Sequence, residues 1–298
     1  KPETWEAHYL PVVSAAVELL SSRKAPMNPA DLLDQCIRSW PPGSRTRQIR
    51  AQSLAQFLRY GVHRAGVPVL WAPPANLRQH VGIKSREAAS ASQKGDPFTD
   101  QQILNLLAAL PENASGQRWA DGIRLMAELG LRPIELLHLT IRTDSSTREP
   151  YWWCTYRKRS GGGSTESRRL FPLPLIGDDG EATSWKLLQR WQANLIELPP
   201  LGGGNSPADC IKTFLNRQKA WQSLRKTMAD NVQRAVPYSF RHSYSLRGHQ
   251  RGIDAGSMAQ AMGHSLEVHC RSYPWASVAG TIAAFQRANT SVAVNAGS

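Results

Sequence analysis

Residues 85–97 (SREAASASQKGDP) constrain the chain more than any other stretch. They are small, polar and flexible in composition, the signature of a linker between folded parts. Apolar periodicity stops before them and resumes sharply after them. Thr99 and Gln102 form a capping-box pattern, followed by Ile103, Leu106, Leu107 and Leu110 at helix spacing. A chain of 298 residues divided in this way must build two cores. The expected division is a helical module over 1–84, a linker over 85–97 and a second domain over 98–298.

The first module reads as helical throughout. Asn28 is a natural N-cap and Pro29 a natural first-turn residue, and Leu32, Leu33, Cys36, Ile37 and Trp40 make one apolar face. Pro41, Pro42 and Gly43 stop that helix. A second amphipathic helix is expected from about Thr46, with Ile49, Leu54, Phe57, Leu58 and Val62 inward. Between Arg38 and Arg64 stand six arginines and no acid. Soluble helix faces usually mix signs, so an uncompensated run suits a phosphate backbone. Arg45, Arg47, Arg50 and Arg59 are the expected contacts.

Lys plus Arg number 36 against 23 for Asp plus Glu, a net charge of +13. Such a balance points to a polyanion: nucleic acid or an anionic membrane surface. No apolar run approaches the ~20 residues that span a bilayer, and no signal segment opens the chain. The four cysteines (Cys36, Cys154, Cys210, Cys270) are scattered, which fits a reducing cytosol better than a disulfide framework. The histidines show no metal-ligand spacing, and no metal is expected.

The second domain reads as helical to about residue 145. It then changes character over 150–175. Tyr151, Trp152, Trp153, Thr155 and Tyr156 are strand formers, Ser160 to Ser164 is a glycine-rich turn, and Leu170 to Leu173 is a second short apolar run. The expectation is a β-hairpin with a basic tip carrying Arg157, Lys158, Arg159, Arg168 and Arg169. Residues 184–289 read as helical again, broken at Gly202 to Gly204. Lys212 to Arg251 holds nine Lys or Arg against one acid, Asp230. The predicted fold is therefore mainly α with a small β-sheet or hairpin, in two domains.

Three local patterns carry the chemistry. In Gly130-Leu131-Arg132-Pro133-Ile134-Glu135-Leu136, the glycine ends one helix and the proline opens the next. Arg132 thus sits at a tight junction beside free backbone N–H groups. The second pattern is Tyr238-Ser239-Phe240-Arg241-His242. The third is Met262-Gly263-His264, followed nine residues later by Tyr273. Together, in this order and spacing, they resemble the tyrosine recombinase (integrase) family. The basic hairpin lies between the two arginine motifs, where that family places its catalytic lysine. The likeness covers residues 98–280 directly, and the linker and basic helical module extend it to nearly the whole chain.

The resemblance implies a two-domain clamp on double-stranded DNA at a specific recombination site. It implies cleavage and rejoining through a 3′-phosphotyrosine, without metal, ATP or other cofactor. Tyr273 would be the nucleophile, Arg132 and Arg241 the phosphate clamp, Lys158 the proton donor to the leaving 5′-oxygen, and His264 a phosphate contact or proton-transfer aid. Arg157, Arg159 and Arg168 would join the DNA contacts. Glu135 is expected to partner a neighbouring cation, and His242 to support the site. The family implies four protomers on two duplexes, with a C-terminal helix docking in cis or trans, in the cytoplasm. Chemistry agrees: attack on a phosphodiester adds charge to its oxygens, and two guanidinium forks can stabilise that charge.

One departure stands out. The family usually has His or Lys three residues before the second arginine, and this chain has Tyr238. A phenol can donate a hydrogen bond but is no cation near neutral pH, so reduced activity is expected. Two other readings use the same residues: a type IB topoisomerase relaxing DNA without synapsis, and a DNA-binding protein with a weakened catalytic set.

Overall fold

The computed structural model describes residues 2–84, 95–157, 159–160 and 163–273, with backbone alone at 159–160 and 163–164. The chain divides into two compact units, Lys1–Gln93 and Lys94–Ser298.

The first unit is all helical. A helical start and a π turn (Trp5–Tyr9) lead into α1 (Leu10–Leu20), followed by α2 (Pro29–Ile37), α3 (Arg45–Arg64) and the short α4 (Leu77–Val81). Asn28 caps α2 by accepting from the Asp31 N–H at 2.9 Å, and Ser44 caps α3 through the Arg47 N–H at 3.1 Å. Val12, Val13, Ala16, Leu32, Leu33, Cys36 and Ile37 pack against Ala51, Leu54 and Leu58. The inward face of α3 therefore runs through 51, 54, 55 and 58, at i, i+3, i+4, i+7 spacing. This corrects the expected face: Phe57 lies off that stripe and is exposed, and Ile49 and Val62 are only half-buried.

The second unit wraps helices around a small sheet. Thr99 and Gln102 form the capping box of α5 (Asp100–Ala108). The next helix, α6 (Ala114–Leu129), ends at Gly130 in the left-handed conformation, and a 3₁₀ turn follows over Pro133–His138. Here the expectation of helix to residue 145 fails, because Leu139–Thr143 forms strand β1. Thr140, Ile141 and Thr143 are β-branched, and antiparallel pairing with β2 (Pro150–Cys154) decides the conformation. The return strand of the hairpin is β5 (Arg168–Arg169), not the apolar run 170–173, so the sheet has order β1-β2-β5. A separate two-residue ladder, β3 (Arg159–Ser160) with β4 (Gly163–Ser164), lies in the hairpin's long loop.

Trp152 and Cys154 point into the core, while Tyr151 and Trp153 face outward. Outside, Arg142 lies 3.9 Å over Trp153 and Arg169 4.2 Å over Tyr151. The remaining helices are α7 (Leu187–Gln192), α8 (Pro207–Asn216), α9 (Lys219–Asp230), α10 (Ser239–Gln250), α11 (Ala255–Met262) and α12 (Leu266–Ser272). Residues 193–206, around Gly202 to Gly204, are not helical. Among the described residues, no helix is long and apolar enough to cross a membrane. The tail expected to form a C-terminal helix, residues 274–298, lies outside the described residues.

Helices α6 and α10 pack through Gly130 and Tyr244. Gly130 has φ +64°, and a Cβ there would stand 2.4 Å from Tyr244 Cδ1. Gly130→Ala is expected to lose more than about 2 kcal/mol in urea unfolding, from left-handed strain plus the displaced ring. A loss below about 0.5 kcal/mol would show that the ring yields freely.

Candidate active site

The site is organised by one buried carboxylate. Glu135 is fully buried on the 3₁₀ turn after α6. Pro133 starts that turn and brings Glu135 back over its opening, where its carboxylate accepts from the Arg132 backbone N–H at 2.8 Å and from Arg132 Nη1 at 2.5 Å. The same carboxylate receives a bidentate pair from Arg168, Nη1 at 2.9 Å and Nη2 at 3.0 Å, and Arg241 Nη1 stands 3.5 Å away. Burial pushes the Glu135 carboxyl up, but Arg241, Arg168 and Arg132 outweigh it and hold the group down at about 2. It is therefore an ionised partner of cations, as expected, and no proton acceptor near neutral pH.

Helix C-termini complete the cage. The ends of α6 and α11 leave carbonyls without intrahelical partners, and both helices close on left-handed glycines, Gly130 and Gly263. Arg241 Nη1 donates to Gly130 O, and its Nη2 donates to Met262 O. Arg132 Nη2 donates to Gly263 O at 3.2 Å, and Arg168 Nε to Ala261 O at 2.8 Å. Two helix ends with negative partial charge thus hold three guanidinium groups. Those groups face a single carboxylate, which leaves a surplus of two positive charges in a largely buried cluster.

Beside that surplus stand His264 and Tyr273. Arg241 Nη2 lies 2.7 Å from His264 Nε2. A guanidinium can only donate, so Nε2 is the acceptor and the His264 proton sits on Nδ1. Burial, then Arg241 and Arg132, push His264 down to about 2, so the ring is neutral. Its buried Nδ1 has no hydrogen-bond partner. Tyr273 is 1% exposed. It stacks on His264 at 5.9 Å between ring centroids and touches His242 edge-on at 5.4 Å and His269 at 4.7 Å. Burial raises the Tyr273 phenol, and the opposing pull of Arg241 does not cancel the effect. Tyr238 is half-buried at the start of α10, its ring 5.2 Å from that of His242.

The structure thus brings Arg132, Arg241, His264 and Tyr273 together, with Tyr238 at their margin. Lys158 lies outside the described residues, as does the side chain of Arg159. Arg157 is exposed and paired with Glu166 at 3.2 Å. Arg168 is a correction: it is buried, with Nε, Nη1 and Nη2 all committed within the protein, so it braces the site and offers no surface contact to DNA. Arg47 is half-buried and engaged within its own unit. It donates from Nε and Nη2 to His80 O and from Nη1 to Trp40 O, tying together the segments that flank α3. Arg45 and Arg59 are exposed, and half-buried Arg50 donates to Ala7 O at 2.5 Å. The sequence reading missed Arg168 as a brace, and it missed His249 and His269. Alternation around β5 carried a signal for the first: Arg168 and Leu170 face inward and Arg169 outward.

A shallow cleft of about 630 Å³ opens beside His264, lined in part by Trp153, Arg169, Phe171 and Gly263. Among the described residues, no three His, Cys, Asp or Glu side chains gather as a metal site.

No protein-family model matches the sequence, and no curated protein matches it. Solved structures do. The Tn1549 transposon integrase, in complex with a circular intermediate DNA, aligns over 91% of this chain and 90% of its own at 16% identity, with a TM-score of 0.54. The same integrase in complex with transposon right end DNA aligns over 91% and 90% at 14% identity, with a TM-score of 0.51. Aligned over nine-tenths of both chains, this mainly helical chain, with a three-stranded antiparallel sheet in its second unit, shares the fold of these tyrosine recombinase structures.

Proposed function

We propose that this protein is a site-specific DNA recombinase that cuts and rejoins strands through a 3′-phosphotyrosine at Tyr273. The observation that carries the proposal is the uncompensated charge. Three guanidinium groups share one carboxylate beside a buried tyrosine and a neutral histidine donor. A phosphodiester carries one negative charge, and a pentacoordinate transition state carries two. The surplus of two positive charges matches the transition state better than the ground state, which is the condition for catalysis rather than binding.

In this reading Arg132 and Arg241 hold the non-bridging oxygens, and the Nδ1–H of His264 donates to the same group. The Tyr273 oxygen attacks phosphorus and the 5′-oxygen leaves. Lys158 supplies the leaving proton, and Tyr238 serves as a neutral donor where a cation is usual. The bond energy stays in the phosphotyrosine, so rejoining needs no external energy source. The basic helical module over 1–84 binds the duplex, with Arg45, Arg50 and Arg59 among the contacts. The linker lets both modules clamp it, and Arg157 and Arg159 reach it from the hairpin. Four protomers assemble on two duplexes, with exchange serving integration or excision of a mobile element in the cytoplasm.

The test is covalent trapping. Purified protein is incubated with nicked duplexes drawn from the DNA flanking its own coding sequence, then denatured. A DNA-shifted protein band that is lost in Tyr273→Phe is expected. Tight binding with no Tyr273-dependent band on any fragment would favour the binding-only reading. Relaxation of plasmids that lack any cleaved site would favour the topoisomerase.

A further inference from the structure

The arrangement leaves one proton unassigned. Tyr273 is held as a neutral phenol, so its proton must leave as the oxygen attacks. Glu135 is locked among arginines, and the Nε2 lone pair of His264 is occupied by Arg241. Neither group can take it.

A second buried histidine contact supplies an acceptor. His249, on α10, is 1% exposed, and His269, on α12, is fully buried. Their Nε2 atoms lie 3.0 Å apart. His249 Nδ1 lies 3.1 Å from Ile253 O, and a carbonyl only accepts, so that Nδ1 carries the proton. In the neutral ring its Nε2 is then a lone pair, and the shared proton belongs to His269 Nε2. The remaining nitrogen of His269, Nδ1, is left as a lone pair. It is buried and has no hydrogen-bond partner. The ring bearing it touches Tyr273 at 4.7 Å between centroids, one helical turn before Tyr273, whose N–H donates to His269 O at 2.9 Å. Of the three histidines in ring contact with Tyr273, His264 and His269 are therefore in opposite tautomers: His264 presents a donor and His269 an acceptor.

We propose that His269, held in its tautomer by His249, takes the phenolic proton of Tyr273 during strand cleavage. This rests on the phosphotyrosine reading above. The Tyr273 O–H bond breaks and its proton passes to His269 Nδ1. The Tyr273 O–P bond forms while the P–O5′ bond breaks, and the 5′-oxygen takes its proton from a separate donor, Lys158. His269 becomes an imidazolium whose Nε2–H bond to His249 is now charge-assisted, and on rejoining it returns the proton to the departing phenol. His249 is the positioning residue. The other titratable groups facing the pair are Arg241, His264 and Tyr273 around His269, and Asp254 near His249. Burial first, then His249 and Arg241, keep His269 down at about 4, so the ring is neutral at working pH and its Nδ1 lone pair is not taken up by a proton beforehand.

The experiment follows single-turnover adduct formation on a duplex the wild type cleaves, at saturating protein, across pH. His269→Asn keeps an amide at the Nδ1 position without its basicity, and a loss of about 10²–10⁴-fold is expected. The wild-type rate should fall as the pH approaches about 4, where His269 protonates, and that dependence should vanish in the variant. A 5′-bridging sulfur, which leaves without a proton, should not rescue the variant; rescue would place His269 on the leaving-group side and overturn the proposal, as would an undiminished rate. His249→Gln, which keeps an acceptor, should retain most activity and His249→Leu should not; equal effects would overturn the positioning role. Independently of folding variants, ¹⁵N shifts of wild-type histidines should show His269 protonated at Nε2, and protonation at Nδ1 would refute the relay. An absence of any adduct with the wild type would instead remove the phosphotyrosine reading, and this inference with it.

Discussion

Glu135→Ala is expected to destabilise the second unit by about 3–5 kcal/mol and to abolish DNA cleavage. The carboxylate accepts from Arg132 and Arg168 and faces Arg241, with all three cations mostly or wholly buried. Removing it leaves like charges facing one another without water to screen them. Glu135→Gln keeps the shape but not the charge, and should recover little. The pH dependence has the matching sign. The Glu135 carboxyl is held down at about 2 against an ordinary 4.5, so its stabilisation is complete above about 4.5 and is lost as the pH falls toward 2. Urea unfolding at neutral pH reads the effect directly. A loss under about 1 kcal/mol would mean that the cluster is solvated and that Glu135 is not its hub.

Arg241→Lys should keep DNA binding and lower the single-turnover cleavage rate by about 10²–10³-fold, the usual cost of a missing preorganised donor. Arg241 engages Gly130 O, Met262 O, Glu135 and His264 at once. An ammonium has three donors on one atom and cannot span carbonyls at the ends of two helices. The positive charge survives the substitution, but the planar fork and the hold on His264 Nε2 do not. A rate within about threefold of wild type would show that charge alone suffices there.

Much of this site was legible because its key residues fall in short motifs. Gly130 to Glu135 encode a helix stop, a turn and a carboxylate returning to its own start, all local in sequence. Arg241, His264 and Tyr273 followed from spacing and family likeness. The hidden parts depend on distant partners. Arg168 and Arg47 looked like surface cations because a charge count cannot distinguish a paired guanidinium from a free one, and their partners lie 33 residues or more away, apart from the Trp40 carbonyl. Strand β1 is five residues long and abuts a helical tract, so its alternation was too short to register before β2 was placed beside it. His249 and His269 sit in helices of mixed composition, and nothing local marks their meeting across 20 positions.

The carboxylate hub has a consequence for the making of the protein. It joins residues 106 positions apart, and Arg132 reaches a carbonyl 131 positions ahead. Contacts of such span form late, after loop closure has been overcome and helices α10 and α11 have left the ribosome. A nascent chain that has folded only its first unit therefore has no assembled cluster and no seated tyrosine. Whatever chemistry the cluster supports arises only after Tyr273 has been made and seated, which keeps chains that stop short of it chemically silent.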